Sequence, residues 1–283
     1  MNYKKPSSFP NEKPKTHFLE GRQNIEVLLY QYPAENWSVD TCFEMLAATW
    51  GTEANKLDVS FEEKEKLVEE SLAGNMLGNA LESLNYTFAI SGISRATTHQ
   101  IVRTRIGAAY AQHGGRDNDW RHQDIRIPET INQNPELKEK FIQASLLSKE
   151  IYSQLVDSGI PWQDARYIMP IGTATYIWAT YTYRALQNFM ANRLCLSQTA
   201  WELCTVAWKM RKEVQRATPL FGKYLLYPCE KLGYCTYAER SVGVHLNEAC
   251  TYKPIRQGVE YSSTFNKAQN GSLLPVPIYD EIK

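Results

Sequence analysis

The segment Asn134–Ile160, "NPELKEKFIQASLLSKEIYSQLVDSGI", constrains the fold of this chain most. It reads as one long amphipathic helix that stops at Gly159. A helix with a single apolar stripe must bury that stripe against another layer. The chain supplies strands for such a layer. "IEVLLYQY" (Ile25–Tyr32) reads as a buried strand. In "NYTFAIS" (Asn85–Ser91), Tyr86, Phe88 and Ile90 alternate with Asn85, Thr87 and Ala89, the period of a half-buried strand that Gly92 should break. Further helices are expected in "SVDTCFEMLAATWG", ending at Gly51, and in "VSFEEKEKLVEESLAG", with Ser60 as N-cap and Gly74 as stop. "TATYIWATYTYRALQNFMANRL" begins β-branched and aromatic, open between strand and helix, and ends helical. Thr199 and Glu202 have the spacing of a capping box. After them Ala200, Leu203, Ala207, Met210 and Val214 make one stripe of a last long helix. The expectation is a single α+β domain with a central antiparallel or mixed sheet and long helices.

Lys+Arg and Asp+Glu number 31 each, so the chain carries no net charge. That argues against a nucleic-acid polymer as partner, which needs a cationic surplus to displace counterions. Local arginine clusters can still bind small anions. No apolar run reaches the length of a membrane span, and the N-terminal residues lack the apolar centre of a secretory signal. Six cysteines in 283 residues do not make a disulfide scaffold, so reduced thiols in the cytoplasm are expected. Residues 1–20 read as a flexible tail, 21–220 as the folded domain and 221–283 as a C-terminal extension, loop-like from Tyr252.

"QIVRTRIGAAYAQHGG" (Gln100–Gly115) places Arg103 and Arg105 on what reads as a buried helix. At about 100° per residue, Gln100, Arg103, Tyr110 and His113 share one face, and Arg105 points to the other side. Buried arginines need paired charge. Either each meets a core carboxylate or helix end, or the helix separates two phosphate-bearing ligands, which the planar guanidinium suits.

"ISGISRATTHQIVRTR" resembles the strand-to-helix segment of flavin-dependent thymidylate synthases. "ARYIMP" is similar to that family's Ala-Arg-x-x-Leu-Pro, and "RALQNFMANRLCLSQTAWE" to its Asn-Phe-x-x-x-Arg with the following helix. The three blocks stand in family order between roughly Ile25 and Pro219. The resemblance implies the family's fold and a flavin-dependent C5 methylation of a uridine monophosphate nucleotide. It implies FAD as cofactor, methylenetetrahydrofolate and NADPH as co-substrates, and a homotetramer whose sites are shared between subunits. It places Gln100, Arg103, Arg116, Arg166 and Arg193 on the nucleotide, and Arg103, Thr104, Arg105, Arg184 and Asn188 on FAD. Arg166 and His113 become the expected catalytic residues. By position, Arg166 would stabilise negative charge on the uracil.

The chain departs from the family around the ligands. Thr104 stands where the signature histidine of Arg-His-Arg is expected, and His113 where its serine follows seven residues later. Ser83 replaces a histidine, and the loop after His113 carries one extra residue before Arg116. A histidine near the reacting carbon can act as general acid or base, or hydrogen-bond a phosphate. These changes open two alternatives to dUMP methylation: a UMP methylase, or an enzyme leaving hydroxymethyl at C5. A non-catalytic nucleotide-binding protein on the same scaffold is a third reading. Cys229, Cys235, His245 and Cys250 suggest zinc, but their spacings lack the tight knuckle, so no metal is expected.

Overall fold

The computed structural model describes residues 16–53, 56–74, 76–195 and 198–232. In chain order these form β1 (Phe18–Leu19), β2 (Glu26–Gln31), α1 (Glu35–Thr49), α2 (Phe61–Gly74), α3 (Ala80–Ser83), β3 (Asn85–Ser94) and α4 (Arg95–Ile101). There follow β4 (Ala108–Gln112), β5 (Ile125–Arg126), α5 (Glu129–Asn132), α6 (Pro135–Asp157), α7 (Trp162–Ala165) and a 3-10 turn at Arg166–Ile168. The rest is β6 (Ala174–Thr182), α8 (Tyr183–Arg193), α9 (Trp201–Ala217), α10 (Pro219–Lys223) and α11 (Pro228–Leu232). The fold is α+β, as expected. Two compact units divide it, one within residues 1–24, 94–96 and 113–175, the other within 25–93, 97–112 and 176–283.

The larger unit is built on a four-stranded sheet in the order β2-β3-β6-β4. β2 pairs antiparallel with β3 (Leu28 opposite Ala89), and β4 antiparallel with β6 (Tyr110 opposite Ala179). Period-two alternation decides which face is buried. Tyr86, Phe88, Ile90, Ile177, Ala179 and Tyr181 enter the core, with the α9 stripe Leu203, Ala207, Met210 and Val214. Packing continues past residue 220, since Phe221, Leu225 and Tyr227 belong to the same core. β2 is half-buried rather than buried. Leu29 faces the core while Leu28 and Tyr30 are exposed, and Tyr30 meets Trp178 edge-on with ring centroids 4.9 Å apart.

Gly92 does not break β3. It takes φ +68° inside the strand, which continues to Ser94. Glycine adopts that left-handed conformation without a Cβ penalty. Ser60 does cap α2, in a reciprocal box: its N–H donates to Glu63 Oε2 (3.0 Å) and its Oγ accepts from the Glu63 N–H (3.3 Å). Thr199 and Glu202 form no such box. Ala200 is the exposed N-cap of α9 and not part of its stripe, while Thr199 Oγ1 donates to Asn192 O (3.2 Å).

The smaller unit carries α6, whose N-cap Asn134 accepts from the Leu137 N–H (3.1 Å). It also holds the parallel pair β1–β5 and a small core of Trp120, Tyr152 and Ala165. Lys149 of α6 is buried there, donating to Thr16 Oγ1 and Gln123 O, and burial pushes its ammonium down to about 8. Among the described residues no helix is long and apolar enough to cross a membrane.

Candidate active site

The larger unit holds Gln100, Arg103, Thr104, Arg105, Arg184, Asn188 and Arg193. The expected helix through Arg103, Tyr110 and His113 is not there. α4 ends at Ile101, and Arg103, Thr104 and Arg105 lie on the connection from α4 to β4. Two features stop the helix. Gly107 takes φ +69°, and Ala108–Gln112 are drawn into the sheet by pairing with β6. Gln100, Arg103, Tyr110 and His113 therefore share no helical face, and no helix separates two compartments there. The chemistry is more favourable than burial: both arginines are exposed, and among the described residues neither side chain has an acidic partner.

Gly107 fits against the start of α8. A Cβ there would stand 2.5 Å from Thr182 Oγ1. The Thr182 N–H donates to Gly107 O (2.7 Å), and Thr182 Oγ1 caps α8 by accepting from the Ala185 N–H (3.2 Å). "TATYIWATYT" resolves as strand because its β-branched and aromatic residues suit a pleated surface. α8 then shows Arg184 and Asn188 one turn apart. Arg184 is half-exposed, donating to Gly78 O (3.0 Å) and lying 3.7 Å from Glu82. Asn188 Oδ1 accepts from Asn192 (3.0 Å). Arg193 ends the helix, partly buried and within electrostatic reach of Tyr181. The nine-residue step puts it on the side opposite Arg184.

The smaller unit holds His113, Arg116 and Arg166, together with two residues that sequence reasoning missed, Arg95 and Trp120. Trp120 is buried, and its backbone N–H donates to Tyr152 Oη (3.0 Å). Its ring lies so close to Gly115 that a Cβ there would come within 2.8 Å. The guanidinium carbon of Arg95 stands 5.8 Å from the ring centroid of Trp120, and the imidazole of His113 6.2 Å from it. Arg95 is placed by backbone bonds from its own N–H to Thr173 O and from the Ala96 N–H to Ile171 O. Arg166 sits on the 3-10 turn, its Nε donating to Gln163 O (3.0 Å). Arg116 is exposed.

Burial and the nearby Arg95 charge hold the His113 imidazole below its ordinary value of 6.5. Burial and Arg166 likewise lower Arg95. The lowered proton affinity favours the neutral imidazole of His113, beside the Arg95 guanidinium. Such a set favours an anion and offers a base of low proton affinity. The signal for Arg95 was present in "ISRATTH", at the strand-to-helix junction; nothing local marks Trp120. Ser83, the third departure, donates to Ala80 O within α3 (2.7 Å). Among the described residues no metal-ligating cluster forms, and Cys235, His245 and Cys250 lie outside them.

Residues 31–220 match the family model described as "Thymidylate synthase complementing protein". The flavin-dependent thymidylate synthase of Thermococcus onnurineus is 34% identical over 233 residues, covering 77% of this chain and 91% of that one. This chain belongs to the flavin-dependent thymidylate synthase family. It is an enzyme of that type. The family's enzyme from Sulfurisphaera tokodaii is 39% identical over 150 residues, a match spanning 52% of this chain and only 56% of that relative. A solved UMP/dUMP methylase PolB from Streptomyces cacaoi, bound with 5-Br dUMP, superposes with a TM-score of 0.61. It is 20% identical, covering 73% of this chain and 96% of that one, and the likeness is one of fold. For a family member, the two unusual residues differ in setting. Thr104 lies on the connection beside its two arginines, whereas His113 packs by Trp120 and Arg95.

Proposed function

We propose that this chain transfers a one-carbon unit from methylenetetrahydrofolate to C5 of a uridine monophosphate nucleotide, dUMP or UMP. FAD is the redox cofactor, NADPH restores it, and the working form is a cytoplasmic homotetramer. The observation that carries this reading is the pair of exposed guanidiniums, Arg103 and Arg105, on a connection held by Gly107 and Thr182. Exposed guanidiniums without acidic partners among the described residues suit the phosphates of a dinucleotide. Arg184 and Asn188, one turn apart in the same unit, add donors of the kind a flavin's polar edge accepts. The donor set therefore fits FAD.

Bound flavin supplies the hydride, and the chain supplies position and electrostatics. In this reading Arg105, Arg184 and Asn188 hold the cofactor, while Arg103 and Gln100 stand where cofactor and nucleotide adjoin. Arg116 and Arg193 bind the nucleotide. Arg166 stabilises negative charge on the uracil as C5 becomes nucleophilic, and a neutral His113 has a lone pair to take the C5 proton. UMP stands beside dUMP because the solved relative in fold is named as a methylase of both, and because His113 replaces the signature serine. Incubation with FAD, NADPH, methylenetetrahydrofolate and either nucleotide, followed by mass analysis, is expected to give the C5-methylated product. A hydroxymethyl mass would change the product assignment. An FAD-loaded protein that leaves both nucleotides unchanged would overturn the catalytic reading.

A further inference from the structure

Residues 102–107 join α4 to β4 and present Arg103 and Arg105. Their own hydrogen bonds are long: Val102 N–H to Thr98 O at 3.1 Å, Arg103 N–H to Gln100 O at 3.4 Å and Thr104 N–H to Ile101 O at 3.3 Å. Bonds this long hold a turn loosely. Tyr110, on β4, adds a stronger tie. Its hydroxyl oxygen lies 2.7 Å from Thr104 O and 3.1 Å from Ile101 O, so its one proton is offered to two carbonyls at and just past the C-terminal end of α4.

Tyr110 itself is braced. Its ring meets Tyr181 edge-on at 5.8 Å, with the two hydroxyls 3.4 Å apart. Tyr181 is fully buried against Phe189 (5.5 Å) and Phe88 (6.4 Å). At the far end of the connection, Gly107 O accepts from the Thr182 N–H. The backbone between these anchors has little freedom, while the two guanidiniums reach solvent. Holding a binding loop in its bound form lowers the ordering cost of binding.

We propose that Tyr110 is a positioning residue for the flavin: by tying the carbonyls of Ile101 and Thr104 to the sheet, it keeps Arg103 and Arg105 in their binding arrangement. Thr104 belongs to the same device through its backbone carbonyl, which accepts from the Tyr110 hydroxyl. The proposal rests on the reading that these arginines bind FAD.

The test uses the full chain as wild type, Tyr110→Phe, Arg105→Ala and the double variant. Tyr110→Phe keeps the ring and removes only the hydroxyl. FAD affinity is measured by flavin fluorescence, and the amides of residues 102–106 by hydrogen exchange without flavin. Tyr110→Phe is expected to speed exchange in that segment and raise the Kd for FAD about three- to tenfold, the range for one neutral hydrogen bond. Because Tyr110 acts through both arginines, the double variant should lose less FAD affinity than the product of the two single losses. An unchanged Kd in Tyr110→Phe, or losses that multiply in the double variant, would overturn the proposal. If the wild type binds no FAD, the flavin reading falls and the positioning role falls with it. Exchange then separates the parts: a faster segment keeps Tyr110 as the anchor of the connection, and an unchanged one removes that as well.

Discussion

His113 is half-buried among Trp120, Arg95 and the backbone around Thr175, whose Oγ1 donates to His113 O (3.1 Å). Its lowered pKa has a consequence for stability. The folded state binds fewer protons than the unfolded state between the lowered value and the ordinary 6.5. The contribution is therefore complete above about 6.5 and is lost as pH falls toward the folded value. His113→Ser should flatten the stability–pH curve below neutrality, seen in denaturant midpoints between mildly acidic and neutral pH; an undiminished acid slope would mean other groups set it. Arg166 tests the site differently. Arg166→Lys keeps the charge and loses the planar fork, so kcat/KM should fall by roughly tenfold or more, a charged hydrogen bond being worth about 1.5–3 kcal/mol. Wild-type turnover would remove Arg166 from the reacting centre.

Among the elements, the α4-to-β4 connection is the one where a single atom matters most. Gly107 combines φ +69° with a neighbour 2.5 Å from where a Cβ would stand. The left-handed conformation alone costs about 1–2 kcal/mol for a residue with a Cβ. Gly107→Ala should therefore loosen the contact with Thr182 and weaken FAD binding more than it lowers the melting temperature. Equal flavin affinity in that variant would separate Gly107 from the binding arrangement. The connection also shows where reading by periodicity fails. "QIVRTRIGAAY" has helical spacing of its polar residues, yet Val102, Thr104 and Ile106 are β-branched and Gly107 is a natural stop. The decision fell to strand pairing at Ala108–Gln112, a contact with residues 177–181 that no local window contains.

At the scale of the molecule, one buried ion pair ties the last described helix to the core. Arg211 of α9 meets Glu230 of α11 at 2.7 Å with both side chains almost fully buried. Glu230 Oε2 also accepts from the Tyr227 N–H (2.7 Å). Removing one member leaves a buried charge unpaired, which costs about 3–5 kcal/mol. Glu230→Ala should lose that much in equilibrium unfolding; a change within experimental error would show that α11 can detach freely. The proposed homotetramer is tested on the whole chain. Light scattering at micromolar concentration should return four times the chain mass of 32.5 kDa, and a mass of one chain would end the shared-site reading.

Local chemistry by itself determined most elements and the family. Asn134–Ile160 contained its own N-cap, although α6 buries only Ser145, Lys149 and Tyr152 and exposes Leu137, Leu146 and Leu147; β3 contained its own alternation, and α2 its own box at Ser60 and Glu63. Three ordered blocks of short-range pattern sufficed to name the relatives. Tertiary structure alone decided where a pattern ended and which side chains met. It ended α4 at Ile101, left one face of β2 exposed, carried β3 through Gly92, and put Arg95 and His113 against Trp120. The reason is range. Caps and periodicity act over a few residues, whereas strand pairing, ring contacts and the field of a neighbouring guanidinium join residues that the chain itself holds far apart.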